Sequence, residues 1–216
     1  MPFIATTELP KFSVDELEGA NKVSSFIGRN FKAAITAFVL AMLEHAYRDS
    51  FPLHIREVER IAQKLAGVEL SGNEQVEPWA AIVVAADGGV STFSPEFMEV
   101  SAPAYDNFVF GNILEGGLEE FSHNQTFLRA NDEIAHGVAA CKKSCRYFAV
   151  CGGGSPVNKF SEKGDMQATE TDFCRLTTQT STDALLSFLM RLSRRSGNWV
   201  GFESHLTTAN RNILGA

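Results

Sequence analysis

The stretch ACKKSCRYFAVCGGGSPVNKF, residues 140–160, holds three of the chain's four cysteines and follows them with three consecutive glycines. Cys174 completes the set in ATETDFCRL, residues 168–176. The pattern is Cys141-x3-Cys145-x5-Cys151-x22-Cys174. Leu128, Ile134 and Val138 continue through Cys141 and Cys145 as one helical face, and residues four apart on a helix lie about 5–6 Å apart at Cβ. Two thiolates would then come from successive turns, a third (Cys151) from a loop and the fourth (Cys174) from a distant segment. Four convergent thiolates suit a tetrahedral zinc ion or a four-iron cluster.

The glycines bear on that choice. Residues without Cβ let the backbone approach a bulky centre and aim N–H groups at it, and hydrogen bonds to cluster sulfurs tune reduction potential. Neither cysteine spacing is the short Cys-x2-Cys knuckle common in zinc sites. Residue chemistry favours an iron–sulfur centre and leaves zinc, or paired or free thiols, as alternatives. GGGSPVNK is not a phosphate loop, because that motif needs Gly-Lys-Ser/Thr opening a helix, and here Pro156 and Asn158 precede Lys159.

The 216 residues, 44% hydrophobic, are enough to bury a core. A formal net charge of −7 argues against a nucleic-acid surface. The basic group Arg191, Arg194 and Arg195 reads as a solvated helix face. Residues 1–12 have neither the basic start nor the apolar run of a secretory signal. The longest apolar stretch, Ala33 to Leu43, is too short for a bilayer. A soluble, cytoplasmic protein is expected, and in a reducing compartment clustered cysteines are more often metal ligands or redox groups than disulfides.

Residues 1–30 read as irregular, with Ser13 capping a short turn. A helix follows with Phe31, Ile35, Phe38, Val39, Met42 and Ala46 inward, ending near Asp49-Ser50 ahead of Pro52. A second runs from about His54 to Ala66 with Ile55, Val58, Ala62 and Leu65 inward, ended by Gly67. After a polar connector, WAAIVVA (79–85) and VSTF (90–93) flank the turn signal DGG and predict a hairpin. Residues 94–123 read as mostly loop, with FGN (110–112) as a turn. A third helix is expected from Asn124 or Thr126 to about Ala140, and a last one from Ser181 or Thr182 to about Arg195 with Leu185, Phe188, Leu189 and Leu192 inward.

The segment CKKSCRYFAVCGGGSPVNKFSEKGDMQATETDFCRL (141–176) resembles the SPASM domain, the auxiliary-cluster extension of radical S-adenosylmethionine enzymes that modify ribosomally made peptides. Within them it is most similar to the maturases of glycine-rich-repeat peptides. The resemblance extends through VDELEGANKVSS (14–25), IREVERIA (55–62), ADGGVSTFSPEF (86–97) and FVFGNI (108–113). It implies that Cys141, Cys145, Cys151 and Cys174 ligate one [4Fe–4S] cluster. A second auxiliary cluster of that family would need cysteines near Phe93 and Gly116 and at Ser155, and all three places lack sulfur. The family's S-adenosylmethionine-cleaving motif, Cys-x3-Cys-x2-Cys, is also missing, since Cys141-x3-Cys145 is followed by Phe148. Residues 1–66 resemble the last part of the family's barrel.

The resemblance implies an α+β chain: a C-terminal fragment of a partial (β/α) barrel over 1–70, then a SPASM-like cluster domain over 71–216 with a β-hairpin and a C-terminal helix. The function expected is that of an iron–sulfur auxiliary module, a split subunit or a truncated enzyme, not catalytically competent alone. S-adenosylmethionine would enter only through a missing or partner barrel. The expected partners are a radical S-adenosylmethionine barrel subunit or a second copy, and a precursor peptide, with no nucleic acid and no membrane. The alternative is a non-catalytic scaffold that recruits a precursor peptide, with zinc or no metal. Glu170 and Asp172 read as loop carboxylates capping backbone N–H groups, and Arg56, Glu57 and Arg60 as helix-face ion pairs. His45, His54, His123, His136 and His205 have no spacing for a shared metal, though His136 lies near Cys141. Trp79 and Trp199 read as packing residues.

Overall fold

The computed structural model describes residues 20–48, 55–68 and 72–196. The expectations for residues 1–19, the stop at Asp49-Ser50, His54, Trp199 and His205 fall outside these residues, as does the side chain of Arg195. The architecture is mixed: helices around a small antiparallel sheet, an α+β arrangement.

Helix α1 (Ala20–Arg48) begins well before Phe31, where the apolar periodicity starts. It buries a narrow stripe, Val39 and Leu43 with Ile35 partly covered. Phe31 and Phe38, both expected inward, are 56% and 64% exposed, because no described element covers that side of the helix. Helix α2 (Arg56–Leu65) buries Val58, Ile61 and Ala62. Leu65, also expected inward, is exposed, and Ile61 takes its place beside Val58. Gly67 leaves the helix with φ of 76°.

The hairpin forms as expected. Strands β1 (Ile82–Val84) and β2 (Gly89–Thr92) pair antiparallel with Ile82 opposite Thr92 and Val84 opposite Val90. Asp87 Oδ1 accepts the Gly89 N–H at 3.0 Å and closes the turn. The FGN segment is not a turn, because Gly111–Asn112 forms β3 on the other edge of β2. The rest of 94–123 is also more ordered than its sequence suggests. Proline-initiated turns at Pro95–Glu99 and Pro103–Phe108 and the short helix α3 (Leu118–Phe121) fill it. These turns place Phe97, Tyr105 and Phe108 inward, where aromatic burial repays the ordering of short segments.

Helix α4 (Gln125–Ser144) starts at Asn124, whose Oδ1 accepts the N–H groups of Thr126 and Phe127 at 2.8 and 3.2 Å. It buries Phe127, Ala130, Ile134, Gly137 and Cys141 and runs past the expected end at Ala140. Leu128 is exposed, so the helical face leading to the cysteines passes through Phe127 instead. Two cores result. One is aromatic, joining Phe93, Phe97, Phe108, Phe110 and Phe127 to Ile134, Val157 and Met166. The other joins α1 and α2 to the C-terminal helix α8 (Thr180–Ser196) through Ala184, Leu185 and Phe188. Helix α8 therefore packs on the N-terminal helices as well as following the cysteine region in sequence.

Candidate functional site

Cys141 lies in the last turn of α4 and Cys145 at its end, and two short helices that follow carry Cys151 and Cys174. Cys145 closes α4, its N–H donating to Cys141 O at 2.8 Å. One helical turn, α5 (Phe148–Cys151), presents Cys151, which therefore comes from a helix end and not from a loop. After the glycines, α6 (Pro156–Lys163) opens on a proline. The loop beyond it leads to α7 (Asp172–Cys174), where Thr171 Oγ1 caps the helix by accepting the Cys174 N–H at 3.0 Å. Helix α7 continues through a π-turn at Arg175–Gln179 into α8, so the last helix starts upstream of Ser181.

These connections bring all four cysteines to one cavity. Cys141, Cys145, Cys151 and Cys174 line it together with Phe148, Gly153, Gly154, Ser155, Lys159, Thr169 and Thr171. It is a small cavity of about 20 Å³, partly open to solvent. All four cysteines are unpaired, so the disulfide alternative is not the state of this structure. Cys141 is buried and the other three are half-buried.

The glycines shape the wall. Gly152, Gly153 and Gly154 have φ of 69°, 108° and 77°, a left-handed run that side chains resist. A Cβ on Gly153 would stand 2.8 Å from Val138 Cγ2, and one on Gly152 would stand 3.0 Å from Asn73 Cβ. Asn73 Nδ2 donates to Gly154 O at 2.8 Å and ties the run to the connector after α2. The run turns the N–H groups of Gly153 and Gly154 onto the Cys151 sulfur.

Burial pushes the Cys151 thiol above its ordinary pKa, and the nearby Cys141 and Cys145 sulfurs push the same way, while the two glycine N–H groups pull it down. Cys174 is raised first by burial and then by Cys151 and Cys145, against a hydrogen bond from Gln179. Gln179 Nε2 lies 3.6 Å from Cys174 Sγ. Lys159 Nζ donates to Cys141 Sγ at 3.6 Å, and the Cys141 thiol donates to Thr169 O at 3.1 Å. Ser155 Oγ is buried with no hydrogen-bond partner. The four thiols are therefore close enough to sense one another, and hydrogen-bond donors surround them.

Among the described residues, no three His, Cys, Asp or Glu side chains are gathered so as to hold a metal ion. The other residues weighed from the sequence lie off the cavity. His136 is exposed and pairs with Asp132 at 3.3 Å. Glu170 accepts from Gln179 at 2.8 Å, and Asp172 pairs with Arg175. The carboxylate that caps α7 is Glu162, accepting the Asp172 and Phe173 N–H groups at 2.5 and 3.1 Å. Arg56 pairs with its neighbour Glu57, while Arg60 donates to Gly72 O. Trp79 stacks on Phe127 with ring centroids 4.8 Å apart, a packing role. Arg191 pairs with Glu44 at 3.4 Å.

Sequence reading missed Lys159 and Ser155 as cavity groups and Gln179 as a partner of the Cys174 sulfur. Lys159 left one signal, since it falls one helical turn after the buried Pro156. Gln179 left none, because a π-turn shifts its register. A larger cleft of about 380 Å³, open to solvent, adjoins the cavity and shares Cys151, Gly154, Ser155, Thr171 and Cys174 with it. Its remaining wall combines apolar Ile61, Val150 and Phe173 with the amides and hydroxyls of Asn73, Gln75, Asn158, Thr177 and Ser181 and the charged Glu57 and Arg60.

No family model matches the chain, and no solved structure matches it. An uncharacterized protein of Synechocystis sp. is similar, 28% identical over 179 residues that make up 82% of this chain and 45% of that protein. The chain thus spans less than half the length of that relative. Among the described residues, no helix is long and apolar enough to cross a membrane.

Proposed function

We propose that the chain is an iron–sulfur auxiliary module of a radical S-adenosylmethionine system that modifies ribosomally made peptides. The observation that carries this reading is the convergence of Cys141 and Cys145 from the end of α4, Cys151 from α5 and Cys174 from α7 on one donor-lined cavity. The donor set fits an electron-rich occupant. Gly153 and Gly154 N–H groups face Cys151, Gln179 faces Cys174 and Lys159 faces Cys141. The absence of a Cys-x2-Cys knuckle and the glycine run after Cys151 favour a cluster over a zinc ion.

When bound, such a cluster supplies one-electron transfer or a docking point beside the substrate. The protein's own contribution is to orient the four thiolates, keep them partly dry and direct donors at their sulfurs. The burial of Phe93, one of the places where the resemblance would put a ligand of a second cluster, supports a single-cluster reading. Phe93 is fully buried and stacks on Phe127 in the aromatic core. The adjoining cleft, whose wall mixes apolar side chains with amides and hydroxyls, suits a peptide, which needs both side-chain pockets and backbone partners. The uncovered apolar side of α1, with Phe31 and Phe38, is where barrel polypeptide would pack. A relative more than twice as long as the shared stretch agrees with a module that works with further polypeptide.

Anaerobic reconstitution with iron and sulfide tests the reading. The expected product is a brown protein with broad visible absorption that bleaches on reduction, and Cys→Ser changes at the four positions weaken it. One tightly held zinc and no such absorption would instead support the peptide-recruiting scaffold. The loaded chain alone should also form no 5′-deoxyadenosine from S-adenosylmethionine, because a centre with four cysteine ligands leaves no open iron.

A further inference from the structure

Lys159 is only 3% exposed and, among the described residues, is the one buried side chain that bears a charge. Burying an ammonium without a compensating negative group is strongly unfavourable. No described carboxylate pairs with it. Its partner is Cys141 Sγ at 3.6 Å, and a neutral thiol is a weak acceptor. Helix packing nevertheless makes room for the cation. A Cβ on Gly137 would stand 3.1 Å from Lys159 Nζ and 2.3 Å from Met166 O, so a glycine in mid-helix opens the notch in which the ammonium sits. A Cβ on Gly154 would lie 3.9 Å from Lys159 Cε on the other side. The lysine is held in a dry slot that aims its charge at the cysteine cavity.

We propose that Lys159 is the built-in counter-charge of this cavity, a positioning residue that fixes the Cys141 thiolate and raises the reduction potential of the centre the four cysteines hold. The inference rests on the cluster reading and adds to it a residue that is not a ligand. Deprotonated Cys141 can no longer donate to Thr169 O, and the Lys159 contact is then its remaining charge-assisted hydrogen bond. A buried cation next to a ligating sulfur favours the more negative, reduced cluster, and the low local dielectric strengthens the effect. Lys142 and Lys143 are exposed on α4 and cannot substitute for it.

The test compares reconstituted full-length protein with its Lys159→Met variant by iron content and by redox titration. The expected result is similar iron in both and a lower reduction potential in the variant, with Lys159→Arg nearer the parent. Equal potentials in parent and Lys159→Met overturn the proposal while leaving the cluster reading intact. Should Lys159→Met fail to fold, the parent itself decides. With lysine labelled by ¹⁵N at Nζ, pulsed electron paramagnetic resonance of the reduced cluster should detect a coupled nitrogen, and its absence overturns the proposal. A parent that takes up no iron at all contradicts the cluster reading, and the counter-charge proposal falls with it. That outcome is recognised before any variant is made.

Discussion

At Gly153 the backbone takes φ of 108°, and a methyl group there would press on Val138 at 2.8 Å. Gly153→Ala should therefore cost roughly 1–3 kcal/mol in denaturant unfolding, from left-handed strain together with the clash. It should also displace an N–H group from Cys151. The three glycines were legible as a close approach of backbone to a centre, and the structure supplies the partners, Val138 and Asn73. Lys159 was not legible in the same way, since a lone lysine in a polar-looking turn signals solvent unless the packing around it is known. Burial of the thiols leads to a pH prediction for the metal-free protein. The Cys151 and Cys174 thiols are held above their ordinary range by burial, so the folded state keeps protons that the unfolded chain releases above about pH 8.5. Their contribution to stability is complete below that pH and is lost as pH rises through their folded values. The melting temperature should fall across the alkaline range, and Cys151→Ser should flatten the fall. An alkaline profile unchanged by Cys151→Ser would show that this thiol is not held protonated by the fold.

Helix α4 links the aromatic core to the cavity, with Asn124 capping one end and Cys141 and Cys145 at the other. Asn124→Ala should lower stability by about 1 kcal/mol through loss of the cap. Iron loading should persist, because Cys141, the nearer cysteine, lies about 25 Å along the helix from the cap. Thermal melting and iron analysis of the same variant check both halves of that expectation. The start of this helix, the hairpin and α2 could be read from capping residues, turn signals and apolar periodicity. Three elements could not. Strand β3 is two residues long, too short to show alternation, and forms because β2 has an open edge. The turns at Pro95–Glu99 and Pro103–Phe108 owe their order to aromatic burial far away in sequence. The joint of α7 with α8 passes through a π-turn whose Thr177, Thr178 and Gln179 carry no apolar period.

At the scale of the molecule, two cores share one chain, and α8 returns to cover α1 and α2. That return is hidden from the sequence, where helix faces are visible but their partners are not, and the same limit explains why the apolar period points Phe31 and Phe38 inward while the fold leaves them exposed. Their exposure predicts association with a second copy or with barrel polypeptide. Phe38→Glu should shift a mixed population toward monomer in light scattering and reduce binding of an apolar dye. A parent chain that is already monomeric and binds no dye would contradict the expectation. The central proposal, that the four cysteines hold one cluster, is tested most directly by counting metal. Anaerobically reconstituted protein should contain about four iron and four sulfide per chain, with Cys174→Ala losing most of both. About eight iron per chain would contradict the single-cluster account, and no iron with one zinc would contradict the cluster itself.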